Sequence, residues 1–303
     1  MGELTSRPDG VRVRPAAAVS PAALRDAFNA AFADYLLRLP PLDAEGWRLF
    51  VQRQGADLAR SRAALRGDEV VAFGLVTPLV PAPHAVPAAR SRIAVMGARP
   101  TERGSGVAAR LLDGLVDDAR ARGERSIELE VFAQNPRAER LYRSRGFETV
   151  CALYGYAVGA DAGPAGADPV DAGAEPREVS REEAVRWLDD TMAAGPGRWP
   201  RQVSGAAVAA MPGAVGCWRL AGAQLVFRAP ADGAVSVLSL VDRDESQAGG
   251  AALLRALRRR FAGRPLQAPQ IQRDDGPARA FDAAGWTRQP LHQWLLRRPL
   301  DGA

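Results

Sequence analysis

The sequence predicts a mixed α/β fold that is repeated in two units, and the order of its hydrophobic patterns carries this prediction. Alternating apolar residues indicate strands, and apolar residues spaced three to four apart indicate helices. These patterns follow one another as strand, helix, strand, helix, strand from residue 92 onward, and the same order recurs between residues 234 and 297. A chain of 303 residues, of which 47% are hydrophobic, is long enough to bury two cores.

A low-complexity segment predicts the boundary between the two units. Residues 159–176 are mostly Gly, Ala, Pro and Asp, and Val170 is the only bulky apolar residue among them. Such a segment cannot offset the entropy of folding by burying apolar surface. We therefore expect a first domain at residues 1–158, a flexible linker at 159–176 and a second domain at 177–303.

In the first unit, a strand, two helices and a hairpin are expected before the repeated order. The predicted elements are a strand at 11–14, helices at 21–32 and 43–54, hairpin arms at 61–66 and 70–77, a Pro-rich loop at 78–89, a strand at 92–98, a helix at 104–122, a strand at 126–132, a helix at 136–144 and a strand from 147. The helix at 104–122 carries one apolar stripe that must pack on a sheet, namely Val107, Leu111, Leu112, Leu115, Val116 and Ala119.

The second unit opens with a capping box. Ser180 and Glu183 have the spacing that caps a helix, which is expected to run to about residue 194. The remaining predicted elements are hairpin arms at 215–220 and 224–228, a strand at 234–241, a helix at 249–262, a strand at 266–272, a helix at 277–284 and a strand at 291–297.

Charge and composition exclude several classes of protein. The net charge is +5 and the isoelectric point is about 9.9, but every basic residue is Arg, which indicates a composition bias. Acidic residues are interspersed, so we expect no nucleic-acid partner. No apolar run reaches membrane-spanning length and the first 15 residues carry no signal peptide, so we expect a cytoplasmic protein without a membrane partner. Two Cys and two His cannot build a zinc site or a disulfide framework, and no metal is expected.

A glycine-rich segment stands between the predicted strand at 92–98 and the helix that follows. It reads Arg103-Gly104-Ser105-Gly106-Val107-Ala108. The first N–H groups of a helix and the positive end of its dipole favour an anion, and glycine lets the backbone approach one closely. The chain has no Lys, so a Walker loop is excluded. Taken alone, the segment also fits a glycine-rich helix start without a ligand.

A second motif lies downstream. Asn135 and Pro136 follow a strand, a helix then carries Leu141-Tyr142, and Gly146-Phe147 ends it. The two motifs, at their spacing, resemble the GNAT superfamily of acyl-CoA-dependent N-acyltransferases across residues 11–158. The resemblance implies two GNAT-like units, each with a mixed, mostly antiparallel twisted sheet flanked by helices, and acetyl-CoA as co-substrate.

The resemblance also implies the residues of a cofactor site. The loop would hold the pyrophosphate and the end of the preceding strand would bond the pantetheine arm; the expected residues are Val95, Met96, Gly97, Ala98, Arg103, Gly104, Ser105, Gly106, Val107, Ala108, Asn135, Arg137 and Tyr142. Asn135 is equally well placed to cap a helix, and both roles are compatible. Solvated surface arginine is the alternative for Arg137.

Transfer from a thioester to an amine needs an acid for the leaving thiolate and a base for the amine. Tyr142 is the candidate acid, and the alternative is an aromatic side chain packed under the sheet. Glu128 and Glu130 lie on one face of the same strand and are the candidate bases, while solubilising charge is their alternative. Phe28, Phe32, Tyr35 and Trp47 are candidate walls of the acceptor side, or core residues.

The second unit repeats the layout without the same chemistry. Asp274 and Phe281 stand where the first unit has Asn135 and Tyr142. Aligning the leucines at 253, 254 and 257 with those at 111, 112 and 115 puts Glu245 in place of Arg103, whereas a loop match would put Gln247 there. We trust the leucine alignment, because burial fixes the rotation of the helix, and expect a degenerate second unit.

Together these features predict an N-acetyltransferase that acts by direct attack of a small-molecule or protein amine, as a monomer or homodimer. The alternative is a catalytically inactive protein that binds acyl-CoA. The acceptor itself is not identified by the sequence.

Overall fold

The computed structural model of the chain describes residues 10–37, 39–79, 90–162, 175–195 and 199–300. These residues form two compact units. Unit 1 comprises the described residues up to 79, residues 90–148 and residues 296–300, and unit 2 comprises those from 149 to 295. The sequence predicted residues 149–158 in the first domain and residues 296–300 in the second. The contacts instead assign residues 149–158 to unit 2 and residues 296–300 to unit 1.

Unit 1 has its helices and strands close to the predicted positions. They are β1 (Val11–Pro15), α1 (Pro21–Phe32), α2 (Ala44–Gln54), β2 (Asp57–Arg66), β3 (Glu69–Leu79), β4 (Arg90–Ala98), α3 (Val107–Ala121), β5 (Ser126–Phe132) and α4 (Pro136–Arg143). Their sheet has the order β1-β2-β3-β4-β5, and the end of a later strand, β12, lies beside β5.

The sheet of unit 1 carries helices on its faces. All pairs from β1 to β4 are antiparallel, and β4 pairs with β5 in parallel. One face packs on α1 and α2 through buried residues that include Leu24, Phe28 and Trp47. The opposite face meets α3, whose six predicted stripe residues are all buried. The helix itself begins at Val107 and not at 104, because Gly104 and Gly106 adopt positive φ angles that interrupt it.

Two irregularities of β4 create the space for a site. The register with β3 shifts between Leu75↔Val95 and Val76↔Ile93, which makes a bulge at Ala94. The register with β5 runs from Arg90↔Ser126 to Ile93↔Leu129 and has no further pair among the described residues. The strands therefore separate beyond Ile93 and leave the edge of β4 open.

Unit 2 contains a second mixed sheet. Its elements are β6 (Glu148–Val158, all but its first residue), β7 (Arg177–Glu178), α5 (Arg181–Ala194), α6 (Gly205–Ala209), β8 (Gly216–Leu220), β9 (Ala223–Arg228), β10 (Val235–Asp242), α7 (Ala248–Arg260), β11 (Leu266–Arg273), α8 (Pro277–Ala283) and β12 (Thr287–Pro299, up to residue 295). The strand order is β12-β6-β11-β10-β9-β8-β7, and β10 with β11 is a parallel pair.

The predicted fold class is confirmed, since each unit is a mixed, mostly antiparallel sheet flanked by helices. The capping box of α5 is present. The short elements β7 and α6 were not predicted. Most of the expected linker and residues 80–89 of the Pro-rich loop lie outside the described residues. No described helix is long and apolar enough to cross a membrane.

Candidate active site of unit 1

A cavity of about 550 Å³ opens where β4 and β5 separate. Four segments enclose it: the end of α1 with its connection to α2, the end of β4, the β4–α3 loop, and the start of α4. Its lining residues are Ala31, Phe32, Asp34, Tyr35, Leu36, Met96, Gly97, Ala98, Glu102, Arg103, Gly104, Gly106, Ala108, Ala109, Gln134, Asn135, Pro136, Arg137, Ala138, Leu141 and Tyr142. Residues of both sequence motifs therefore line the same cavity.

The β4–α3 loop presents backbone to this cavity. Gly104 has φ 93° and Gly106 has φ 85°, and a Cβ atom on either would meet nothing within 4 Å. Gly106 is the N-cap of α3, and no side chain caps it within the described part of the chain. Ser105 Oγ accepts a long hydrogen bond from Val107 N at 3.3 Å. The cavity therefore meets an open helix N-terminus, which is a favourable place for an anion.

Arg103 is already paired. Its guanidinium donates to both carboxylate oxygens of Asp34 at 2.5 and 2.6 Å, and to the Ala31 carbonyl at 3.1 Å. The hydrogen bonds from Arg103 lower the pKa of Asp34 below its ordinary value. A ligand phosphate would share this guanidinium with Asp34, a partner that the sequence did not indicate.

The open edge of β4 forms one wall. Met96, Gly97 and Ala98 line the cavity, as predicted for a strand that bonds an extended ligand. A Cβ atom at Gly97 would lie 3.0 Å from Ala31 Cβ, so α1 packs directly on the strand there. Val95 lies against the α1–α2 core instead.

Asn135 and Arg137 lie on the opposite wall. Asn135 Oδ1 accepts a hydrogen bond from Ala138 N at 3.2 Å, so the residue caps α4 as one of its two predicted roles requires. Arg137 is exposed at the cavity's rim.

Tyr142 combines both alternatives weighed from the sequence. Its side chain lines the cavity but is only 7% exposed, and its ring meets Phe147 edge-on at 5.9 Å. Burial raises the pKa of the phenol well above its ordinary value. The hydroxyl therefore stays protonated at neutral pH, as a proton donor must.

The two glutamates proposed as bases lie outside the cavity lining. Glu130 pairs with Arg92 at 2.6 Å, with both side chains almost fully buried. Glu128 pairs with Arg90 at 3.5 Å and with Arg297 at 3.1 Å. Both carboxylates form ion pairs with arginines, and their role as catalytic bases stays a prediction.

Several lining residues were not singled out by sequence reasoning. Asp34, Leu36, Glu102 and Gln134 carry no motif, because they come from loops whose position depends on the whole fold. Of the four expected wall residues, Phe32 and Tyr35 do line the cavity. Phe28 and Trp47 are buried core residues.

The corresponding place in unit 2 is a much smaller cavity of about 70 Å³, lined in part by Asp242 and Gln247. The helix N-cap is Gln247, and Asp242 at the end of β10 accepts a hydrogen bond from Gly250 N at 2.8 Å. A Cβ atom on Gly249 would lie 2.9 Å from Ala223 Cβ, whereas the unit 1 glycines face open space. A carboxylate of the protein thus satisfies the start of α7, where unit 1 leaves α3 open.

Comparison with known proteins shows what the chain is similar to. Residues 22–147 match the family model of the acetyltransferase (GNAT) family. Residues 22–147 are therefore a GNAT acetyltransferase domain, and the predicted resemblance is confirmed for this part of the chain.

Solved structures extend the similarity to nearly the whole chain. A GCN5-related N-acetyltransferase from Sphaerobacter thermophilus is 17% identical with TM-score 0.63, covering 98% of each chain. One from Anabaena variabilis is 13% identical with TM-score 0.65, covering 96% of this chain and 73% of the other. One from Kribbella flavida is 19% identical with TM-score 0.60, covering 96% and 72%. At these identities the likeness shows the fold. A search of curated proteins finds no match.

Proposed function

We propose that unit 1 transfers an acetyl group from acetyl-CoA to a primary amine of a small molecule or protein. One observation carries this proposal: a single cavity joins an open helix N-terminus, an open strand edge and the hydroxyl-bearing side chain of Tyr142. These three features suit, in order, a pyrophosphate, an extended amide-containing arm and a departing thiolate.

The residues present fit acetyl-CoA. The volume of about 550 Å³ is in the usual range for a ligand pocket. Gly104 and Gly106 let a phosphate reach the α3 backbone, with Arg103 and Arg137 at the rim. The unpaired edge of Met96, Gly97 and Ala98 offers backbone groups to the amides of the pantetheine arm.

Acetyl-CoA supplies an activated acyl group as a thioester. The neutral amine nitrogen forms a bond to the acyl carbon, the carbon–sulfur bond breaks, and the sulfur takes the electron pair. Tyr142 gives its proton to the thiolate and regains one from solvent, and the proton lost by the nitrogen passes to solvent. The low polarity around Tyr142 disfavours a lasting phenolate, so proton return must be fast.

Unit 2 is proposed to be a degenerate, non-catalytic copy of the same layout. Phe281 stands at the Tyr142 position and is fully buried, stacked on Tyr156 at 4.6 Å. Asp242 supplies the negative charge at the start of α7. A second acetyl-CoA is therefore not expected there.

Thiol release from acetyl-CoA, measured over a panel of small amines and amine-bearing peptides, tests the proposal. We expect amine-dependent release of CoA and one binding event per chain in calorimetry. Tight binding without turnover on any amine would instead favour the inactive acyl-CoA-binding protein. Absence of binding would overturn the proposal.

A further inference from the structure

The connection from α1 to α2 carries the two large apolar side chains that are exposed in the described part of the chain. Leu36 is 47% exposed and Leu39 is 43% exposed. A single exposed leucine is ordinary, but Leu36 also lines the cavity of unit 1, whereas Leu39 lies outside the lining. Leu36 therefore presents apolar surface both to solvent and to the cavity.

The ring of Tyr35, the residue before Leu36, shows where this surface lies. It contacts Phe32 at the end of α1 at 5.0 Å and Phe132 at the end of β5 at 6.1 Å. Because α1 packs on β4 at Gly97, the connection reaches across the opening between β4 and β5. Leu36 thus belongs to a wall to which no part of acetyl-CoA has been assigned.

Other apolar side chains continue this surface into the cavity. Phe32, Met96 and Leu141 line the cavity and are only partly buried, so each keeps surface that a ligand can cover. A ligand group that covers them together with Leu36 is stabilised by the removal of apolar area from water.

The carboxylates of the cavity lining are already paired. They belong to Asp34, which pairs with Arg103, and to Glu102, which pairs with Arg66 at 2.9 Å. An acceptor with several ammonium groups would gain little from either carboxylate, because each already has a guanidinium beside it. Among the described residues, the lining therefore suits an acceptor with one amine.

We propose that the acceptor of unit 1 is a small monoamine with an apolar body, and that Leu36 binds this body. The inference rests on the proposed function, since it names the class of amine that the same site acetylates. A small molecule is favoured over a protein because the apolar side chains lie within a concave cavity. The nitrogen attacks the acyl carbon beside Tyr142 while the apolar body covers Leu36 at the open side.

Hexylamine and cadaverine are a matched pair of probes. They have about the same length, and the methyl group that ends hexylamine is replaced in cadaverine by a second amine. We expect kcat/KM of the full chain to be at least roughly 10-fold higher for hexylamine, because a methyl group gains by leaving water and an ammonium group does not. Thiol release at saturating acetyl-CoA measures both values.

Substitutions of the two leucines test the wall itself. Leu36→Ser should lower kcat/KM for hexylamine roughly 3- to 10-fold, as expected for a half-exposed leucine, and leave the KM of acetyl-CoA unchanged. Leu36→Asp should in addition raise kcat/KM for cadaverine, since the new carboxylate attracts its second ammonium group. Leu39→Ser is the matched control, because it removes a similarly exposed leucine outside the cavity lining, and its kinetics should equal those of the wild type.

The outcomes separate this inference from the proposed function. Equal or better use of cadaverine by the wild type, unchanged kinetics in Leu36→Ser, an equal loss in Leu39→Ser, or a raised KM of acetyl-CoA in Leu36→Ser would overturn the inference and leave the acetyltransferase proposal standing. Acetylation of peptides without turnover of either probe would do the same. Failure of every amine to release CoA would overturn the proposed function itself.

Discussion

Arg103 and Asp34, 69 positions apart in the chain, form a two-point ion pair at the rim of the cavity, with N–O distances of 2.5 and 2.6 Å. The pair links the end of α1 to the glycine-rich loop. It also neutralises a cation of the segment that precedes α3. Because Asp34 is more than half exposed, the pair contributes little to stability, and its main effect is on what else Arg103 can bind.

Asp34→Asn should strengthen the binding of CoA. Removing the competing carboxylate leaves the Arg103 guanidinium free for phosphate, and we expect a roughly 2- to 5-fold lower Kd at low salt, a gain that shrinks as salt is added. Asp26→Asn is the matched control, since Asp26 pairs with Arg25 on the surface of α1 with similar exposure. Weaker binding in Asp34→Asn would mean that Asp34 orients Arg103 instead of competing for it.

Gly106→Val should abolish CoA binding, with a Kd at least about 100-fold higher. A β-branched residue resists the left-handed conformation, and its side chain would stand between the ligand and the helix N-terminus. Gly67→Val is the control, because Gly67 has φ 59° in a hairpin turn with equally open surroundings. Both variants carry backbone strain, so the site is supported only if Gly106→Val weakens CoA binding and Gly67→Val does not. Equal affinity in the two variants would mean that the β4–α3 loop does not bind CoA.

Elements specified by residues close together in the sequence were predicted at the right positions. The stripe of α3 and the capping box of α5 are present at the predicted residues, since both arise from neighbours one turn apart. The glycine-rich loop was found for the same reason. Its helix was predicted three residues too early, because periodicity does not show that Gly104 and Gly106 have positive φ.

The sequence did not predict which residues far apart in the chain pair with each other. The partners of Glu128 and Glu130 come from β4 and from residue 297, and no local pattern specifies them. Asp34 likewise lies in a loop whose meeting with Arg103 depends on how α1 packs on β4. The assignment of residues 296–300 to unit 1 also needs the folded chain, because a repeated strand order predicts contiguous units.

Tyr142→Phe should lower kcat roughly 100-fold with little change in the Kd of CoA, as expected for loss of a general acid. With acyl donors whose thiol is more acidic, Tyr142→Phe should lower kcat by a smaller factor. Phe281→Tyr is a poor control, because Phe281 is fully buried against Tyr156 and Trp286, so the variant would bury an added hydroxyl. Tyr154→Phe, at a half-buried tyrosine of unit 2, serves instead. Full turnover in Tyr142→Phe would leave solvent as the proton source.

The raised pKa of Tyr142 has its own consequence for stability. An unfolded tyrosine ionises at about pH 10, whereas burial keeps folded Tyr142 protonated above that pH. The free energy of unfolding should therefore be unaffected by Tyr142 below about pH 10 and should fall as pH rises beyond it. Denaturant titrations between about pH 8 and about pH 11 should show a smaller fall in the free energy of unfolding for Tyr142→Phe. Equal slopes would mean that the phenol ionises freely in the native chain.

Asp242→Ala should destabilise unit 2 without opening a second CoA site. The carboxylate accepts hydrogen bonds from Asp244 N at 2.9 Å and Gly250 N at 2.8 Å while almost fully buried. Losing charge-assisted bonds of this kind costs about 1–3 kcal/mol. Denaturant unfolding measures the loss, and calorimetry should still give one CoA per chain. A stoichiometry of two would show that Asp242 had been the only barrier to a second site.

Deleting residues 296–303 should destabilise unit 1, although these residues follow unit 2 in the chain. Leu296 is fully buried and Leu300 is 7% exposed, Arg297 pairs with Glu128, and Leu300 N donates to the Arg125 carbonyl at 2.8 Å. Two buried leucines alone contribute about 3 kcal/mol or more. We expect a melting temperature several degrees lower and faster amide exchange in β5. Deleting only residues 301–303 is the control and should change neither measurement. A fragment that ends near residue 160 also lacks this segment and should unfold more readily than the full chain. If the fragment and the full chain protected β5 equally, residues 296–300 would not be part of the cooperative core of unit 1.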